Sequence, residues 1–315
     1  MVTTPEEIYV PVDDGIDLHT WLYRPAEASA SAPAPAPAPA PAPVPVPVPV
    51  ISMAHGFAGL KYHGLDGYAQ RFVAAGFAVV IHDHRGFGLS GGQPRRDIDP
   101  WRQLHDWRRV ISFITTLEGV DPGRIGVWGS SYAGGHSLVL GASDRRIKAV
   151  VSQVATISGY EQSLRRVPVE KRAAMAGLLA DDDRAQLDGE PGTQPINSPD
   201  PGTLAVYHSQ EIEDFNERFP TPEGVEDDRR VTLRSTLKAQ LYEPGVWVPR
   251  VAPTPLLMIV AEHDVITPHE FAEAAFETAG EPKKLVRYDG GHFDAYAKNL
   301  DETSGAALDW FLKHL

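Results

Sequence analysis

The sequence predicts an α/β fold: a mostly parallel central sheet of about eight strands, helices on both faces, and an inserted helical lid. Three observations predict it. Short apolar runs alternate with amphipathic helical stretches from Val48 to Gln153 and again from Pro255 to Leu315, the pattern of parallel strands joined by crossover helices. Charged helical stretches interrupt that alternation between Ser158 and Arg250. A corner rich in small residues, Gly129-Ser130-Ser131-Tyr132-Ala133, joins a strand directly to a helix. The core is therefore assigned to residues 1–157 and 251–315, and the lid to 158–250.

Taken in order, Glu7 to Val12 and Asp17 to Tyr23 read as strands joined by Asp13-Asp14-Gly15, an antiparallel leading edge. From Pro33 to Val50 every second residue is proline, separated first by Ala and then by Val. Each proline fixes φ and removes an N–H, so the tract predicts an extended, polyproline-like surface loop. A docking arm for a partner is the alternative, but no aromatic or charged residue punctuates the tract. Val48 to Ala54 resumes as a hydrophobic strand. Leu65 to Ala75 is a helix ended by Gly76, and Phe77 to Ile81 is a buried strand. His82 and His84 follow, and they are expected on opposite sides of the chain, which argues against a shared metal. Asp83 and Arg85 are read as braces of this loop.

Asp99-Pro100 opens a helix that runs to about Leu117, with Leu104, Trp107, Ile111 and Ile114 at core spacing. Ile125 to Trp128, Tyr132 to Gly141 and Lys148 to Gln153 continue as strand, helix and strand. Within the insertion, Val169 to Leu187, Glu211 to Phe219 and Arg230 to Leu241 read as helices, with a Pro/Gly/Asp-rich loop from Gly189 to Gly202. Met175, Leu178, Leu179, Phe215, Phe219, Tyr242 and Trp247 are candidates for its inner face, with ordinary packing as their default role. Pro255 to Ala261 returns to the sheet, His269 to Ala279 is a helix, and Lys284 to Tyr288 is the last strand. A final helix carries the stripe Leu308, Phe311, Leu312 and Leu315.

Composition narrows the function. The 315 residues carry a formal charge of −13, which disfavours nucleic acid and anionic membrane surfaces as partners. There is no cysteine, so disulfides, thiolate chemistry and Cys-ligated zinc are excluded. That fits a reducing, cytoplasmic compartment. The acidic segment from Met1 to Asp14 does not read as a secretory signal, and no apolar run is long enough to span a bilayer. The expected partner is a small-molecule ester or thioester; a homodimer is compatible with the sequence. Neither a cofactor nor a metal is expected.

The chemistry centres on Ser131. A strand–Ser–helix corner holds a hydroxyl clear of the sheet edge and aims the next backbone N–H groups at the same space, where the helix dipole favours a developing oxyanion. Strand and helix nearly touch there, so the positions two before and two after the nucleophile must be small. Gly129 and Ala133 satisfy this for Ser131, whereas Ser130 has Trp128 at the earlier position. Tyr132 supplies one oxyanion N–H, and Phe57, in the turn His55-Gly56-Phe57-Ala58-Gly59, supplies the second. Asp264, at the end of a late strand, is the expected partner of a histidine, with Glu262 in reserve. His292, in a Gly-flanked loop after the last strand, is the general base.

With these marks the chain resembles the α/β-hydrolases over almost its whole length. His55-Gly56-Phe57, Asp83-x-Arg85-Gly86-x-Gly88-x-Ser90, Gly129-x-Ser131-Tyr132, Asp264 with Pro268, and Gly291-His292 carry the resemblance. Gly-x-Ser-Tyr-x-Gly-Gly is similar to the dienelactone hydrolase and Xaa-Pro dipeptidyl-peptidase/cocaine-esterase branches. The lid, with Thr232-Leu-Arg-Ser and Tyr242-x-Pro244, and the Gly-His-Phe-Asp ending resemble the fungal polyketide transferase group. Two departures stand out. Ala133 replaces a common Gly, and the extra C-terminal β-domain of the dipeptidyl-peptidases is missing, so their activity is not expected. The expected enzyme is a serine esterase or thioesterase; the alternative is an acyltransferase using the same triad with an alcohol or amine acceptor. A non-catalytic binder would have no need of all three triad residues. Dehalogenases and epoxide hydrolases need an aspartate where Ser131 stands.

Overall fold

A computed structural model describes residues 2–26 and 46–315. Its eight-stranded sheet has the spatial order Glu6–Val12, Ile16–Tyr23, Ala78–His82, Val48–Ala54, Val120–Ser130, Ile147–Gln153, Leu256–Ala261, Lys283–Tyr288. In chain order the first elements are β1 (Glu6–Val12), β2 (Ile16–Tyr23), β3 (Val48–Ala54), α1 (Leu65–Ala74), β4 (Ala78–His82), α2 (Pro100–Ile114), β5 (Val120–Ser130), α3 (Tyr132–Ser143) and β6 (Ile147–Gln153). The insertion follows, with α4 (Gly159–Arg166), α5 (Val169–Ala185), β7 (Thr193–Pro195), α6 (Gln210–Arg218), β8 (Arg230–Thr232) and α7 (Leu233–Gln240). The chain then completes the sheet with β9 (Leu256–Ala261), α8 (His269–Glu277), β10 (Lys283–Tyr288) and α9 (Leu300–His314). β1 and β2 pair antiparallel, as does β2 with β4; every other neighbouring pair in the large sheet is parallel.

The strands read as near-continuous apolar runs because both faces are covered. Alternate side chains go to opposite faces. Val50, Val80, Val127, Val150 and Met258 join α2 and α3 in one core through Leu104, Trp107, Ile111 and Leu138. Ile51, Val79, Trp128, Val151 and Leu257 join α1 and α9 in the other through Tyr68, Phe72, Trp310 and Phe311. Full burial of each such aliphatic or aromatic side chain stabilises by about 1.5–3 kcal/mol. Asp99 caps α2, accepting from the N–H groups of Trp101 and Arg102, both at 3.1 Å.

Several expectations are corrected. The proline tract reads as an extended loop through Val50, which overlaps the strand expected from Val48 to Ala54, and β3 has that strand's bounds. Residues 33–45 lie outside the described residues, but Val48-Pro49-Val50 already belongs to β3. The strand takes Pro49 at a register shift, between the Val48–Val120 and Val50–Ile125 pairs, where no ladder N–H is required of it. The Arg230–Leu241 helix is instead a short strand followed by a helix: β8 pairs antiparallel with β7, which lies inside the loop predicted from Gly189 to Gly202. The helix α4 was not predicted at all. His82 and His84 do not face opposite sides; their rings meet edge to face at 5.1 Å. Positions two apart along an extended chain share a face, so strand alternation itself puts residues 82 and 84 together rather than apart.

The braces at the end of β4 are ionic. Arg85 donates to both carboxylate oxygens of Asp106, at 2.8 and 2.7 Å. Asp83 accepts the Lys61 N–H at 2.8 Å and a short hydrogen bond from Lys61 Nζ, with both side chains fully buried. Lys61 Nζ also lies 2.8 Å from His19 Nδ1 and 4.4 Å from the centre of the Tyr62 ring. Burial pushes the Lys61 ammonium pKa down, against the opposing pull of Asp83. Removing one partner leaves an uncompensated buried charge. Asp83→Asn is therefore expected to lower the unfolding free energy by about 3–5 kcal/mol in urea titrations. A change below about 1 kcal/mol would mean that the pair is not ionised.

Candidate active site

Three strand ends converge on Ser131. The residue sits between β5 and α3 with φ 58° and ψ −117°, a conformation that L-residues rarely adopt. Its backbone is held on both sides. The Ser131 N–H donates to the Gln153 carbonyl at 2.8 Å, and the Ser131 carbonyl accepts from the Thr156 N–H at 2.9 Å. The corner is tight enough that a Cβ on residue 129 would stand 2.0 Å from the Ala133 carbonyl oxygen. The rival hydroxyl, on Ser130, is fully buried and accepts a short hydrogen bond from the Tyr296 O–H.

His292 lies in the turn after β10, with its Nε2 3.0 Å from Ser131 Oγ and its Nδ1 2.7 Å from Asp264 Oδ2. Both the His292 and Asp264 side chains are almost fully buried. Asp264 is fixed by its own loop: Oδ1 accepts the N–H groups of Ile266 and Thr267 at 2.8 and 2.7 Å. Thr267 Oγ1 lies 2.8 Å from Asp264 Oδ2 and 3.2 Å from His292 Nδ1. The carboxylate thereby orients the imidazole so that Nδ1 donates and Nε2 faces the serine. Glu262, the reserve residue, is exposed beside His263 and Asp289. The structure thus brings Ser131, Asp264 and His292 together and leaves Glu262 out.

The turn after β3 reaches the same space. A Cβ on residue 56 would lie 2.6 Å from Ser131 Cβ, so the two backbones approach as closely as a glycine allows. Among the described residues neither the Phe57 N–H nor the Tyr132 N–H has a protein acceptor. The His55 ring stiffens this turn: Nδ1 accepts the Gly56 N–H at 2.7 Å, Nε2 meets the His63 carbonyl at 2.9 Å, and the ring stacks on Tyr296.

A pocket with roughly 760 Å³ of empty space, its open mouth included, lies over these groups. Phe57, Ile212, Phe215 and Phe293 supply apolar wall, and Asn197, Glu213 and Arg229 from the insertion supply polar wall. Of the seven residues expected on the inner face, Phe215 lines this pocket, and Phe219 packs behind it with ring centres 5.2 Å apart. Met175 and Leu179 line a separate groove, and Tyr242 is buried against His136. Leu178 and Trp247 are half-buried away from the pocket.

Sequence reasoning missed His63, Thr267 and Tyr296. His63 faces the pocket and bonds across to the insertion, with Nε2 2.9 Å from Thr221 Oγ1. Thr267 had a local signal, since an aspartate three residues before a threonine and a proline makes a turn that caps the carboxylate. Tyr296 had none.

Buried neutral histidines support the site. His136, one turn into α3, receives the Tyr242 hydroxyl at Nδ1 (2.8 Å) and meets Gln103 Oε1 through Nε2 (3.0 Å). Burial drives the His55 pKa down to about 3 and that of His84 down to about 4. His82 and His136 are lowered by burial too, and then by neighbouring histidines. The unfolded chain protonates these groups near 6.5, before the folded one does. Their contribution to stability is therefore complete above that pH and is lost as pH falls from 6.5 toward about 4, at about 1.4 kcal/mol per pH unit for each histidine kept neutral. Urea titrations between pH 7 and pH 5 should show that decline, and His84→Phe should make it shallower by one histidine's share. A flat profile in the wild type would contradict neutral burial.

Comparison with known proteins places this geometry among relatives. The family model for X-Pro dipeptidyl-peptidase (S15 family) matches residues 14–179, just over half of the chain and including Ser131. A quorum-quenching protein, AidA, of Acinetobacter baumannii (strain MDR-ZJ06) is 32% identical over 248 residues, covering 78% of this chain and 80% of that one. A polyketide transferase, grgF, from a Penicillium species is 27% identical over 309 residues, 96% of this chain and 94% of that one. The crystal structure of the hypothetical protein PA2218 from Pseudomonas aeruginosa superposes with a TM-score of 0.81 at 25% identity, covering 100% of this chain and 95% of that one.

Proposed function

The chain belongs to the α/β-hydrolases of the X-Pro dipeptidyl-peptidase (S15) family, and from that membership we propose that it is a serine hydrolase that cleaves a carboxylic ester or thioester through an acyl-enzyme. The observation that carries this reading is the unbroken hydrogen-bonded series Ser131 Oγ, His292 Nε2, His292 Nδ1, Asp264 Oδ2, with spacings of 3.0 and 2.7 Å.

The steps follow from the positions of the groups. Ser131 Oγ attacks the substrate carbonyl while His292 Nε2 takes its proton. The carbonyl oxygen becomes an oxyanion, held by the N–H groups of Phe57 and Tyr132, neither of which has an acceptor among the described residues. Asp264, already hydrogen-bonded by its own loop, balances the imidazolium without taking its proton. The tetrahedral adduct collapses, the C–O or C–S bond breaks, and the alcohol or thiol leaves with the proton from His292. Water, deprotonated by the same nitrogen, then attacks the acyl-Ser131 ester and releases the acid.

One observation favours a second reading. The insertion roofs the pocket with Ile212, Phe215 and their neighbours, and the chain resembles a polyketide transferase over almost its whole length. A covered acyl-enzyme excludes water and can wait for an alcohol or amine acceptor. That reading keeps every step up to the acyl-enzyme and changes only the nucleophile that resolves it.

Ser131→Ala is expected to lower kcat on activated esters by about four orders of magnitude or more and to abolish labelling by a fluorophosphonate probe. Near-normal turnover in that variant would end the proposal. Asp264→Asn is expected to cost about 10⁴-fold in kcat with little change in folding. A p-nitrophenyl ester series of increasing acyl length, run beside an acyl thioester and with a competing alcohol, separates hydrolysis from transfer. Ester product in excess of free acid would select the transferase reading.

A further inference from the structure

The helix α5 is an anomaly on the surface. It has 17 residues, and only Asp182 among them is buried. Met175, Leu178 and Leu179 are half-buried on the same side as Asp182 and so face the body. An outward helix face normally carries charged side chains. Here the outward stripe reads Glu170, Ala173, Ala174, Gly177, Ala180, Asp181, Arg184, and all seven are exposed. At 100° per residue they fall within 60° of the line through Gly177.

Gly177 has no internal explanation. A glycine in an exposed helix interior costs about 1 kcal/mol relative to alanine. A Cβ there would meet nothing within 4 Å, and the backbone does not adopt positive φ. Neither packing nor geometry inside this molecule asks for a glycine at that position. It leaves the backbone open to close approach from outside.

The stripe is also complementary to itself. Counting outward from Gly177 in both directions pairs Ala174 with Ala180, Ala173 with Asp181, and Glu170 with Arg184. Small residues occupy the centre and opposite charges the two ends. Glu170 has no hydrogen-bond or ion-pair partner among the described residues. Among the described residues the Arg184 guanidinium meets only the exposed Asp181 on its own helix, at 3.2 Å. Val169 and Leu187, 73% and 81% exposed, flank the stripe on one side at opposite ends. A two-fold axis across the stripe brings each of them toward the other's copy.

We propose that α5 is a homodimer contact, in which the helix packs antiparallel on α5 of a second copy about a two-fold axis through Gly177. The operation joins Glu170 of each chain to Arg184 of the other, so residue i meets j and j meets i, as an isologous interface requires. The helix is about 25 Å long, so its pairing alone buries less than the ~1,200 Å² of a standard interface. The dimer is therefore weak and concentration-dependent, and its charged ends make it salt-sensitive.

Sedimentation velocity on the full chain, from low to several hundred micromolar, tests this. The wild type should pass from monomer to dimer across that range and shift toward monomer at high salt. Glu170→Arg, which sets like charges against each other, should weaken association at least about tenfold. Adding Arg184→Glu to it should restore association. Gly177→Gln raises helix propensity while blocking the crossing, so weaker association in that variant cannot come from loss of the helix. Circular dichroism confirms that each variant is folded. A wild type that stays monomeric overturns the proposal, as does a dimer that Glu170→Arg and Gly177→Gln leave unchanged. Failure of the charge swap to restore association overturns the assigned register.

Discussion

The approach of two backbone turns, at Gly56 and at Ser131, is the constraint on which the site depends. A single methyl group at position 56 would stand 2.6 Å from Ser131 Cβ. That closeness puts the N–H of Phe57 beside the N–H of Tyr132, neither of them paired among the described residues. It also leaves the Ser131 backbone in a conformation that costs on the order of 1–3 kcal/mol. The cost is met by neighbours that give the chain no other course: the paired strands β3 and β5, the Gln153 carbonyl on the Ser131 N–H, and the Thr156 N–H on its carbonyl.

Polar groups taken out of water hold the surrounding loops at that closeness. The turn after β3 is tied through Lys61 to Asp83 at the end of β4, and through the His55 ring to the His63 carbonyl. The turn after β9 is tied by the Asp264 carboxylate to its own N–H groups and to His292. Each bond forms where an unmade one would cost more than a made one gains, so the loops are specified more sharply than apolar packing alone would specify them.

Much of this was legible in the residues. Strand periodicity gave the large sheet and the places where its strands end, because strands buried on both faces leave an unmistakable apolar run. The elbow could be read to the residue, since sterics at Gly129 and Ala133 select Ser131 over Ser130. Asp264 and His292 followed from their positions after late strands. What escaped depends on long-range contact. Lys61 looks like an ordinary surface lysine until the fold brings Asp83 and His19 around it. Tyr296 reaches Ser130 across 166 residues of chain. The short strands β7 and β8 carry three residues each, too few for any period to show. His82 and His84 are two residues apart, a spacing that puts side chains on one face of an extended chain and not on opposite faces.

The insertion leaves the sheet after β6 and rejoins it at β9, and those two strands are direct neighbours, with Val150 opposite Leu256 and Gln153 opposite Ile259. The two ends of this long excursion are thus pinned one strand spacing apart by a ladder that does not depend on what lies between them. Doubling the length of such a closed excursion costs only about 0.6 kcal/mol in chain entropy. The wall that meets a ligand can drift, lengthen or be exchanged at little thermodynamic expense, while the reacting groups stay anchored to a lattice that never registers the change.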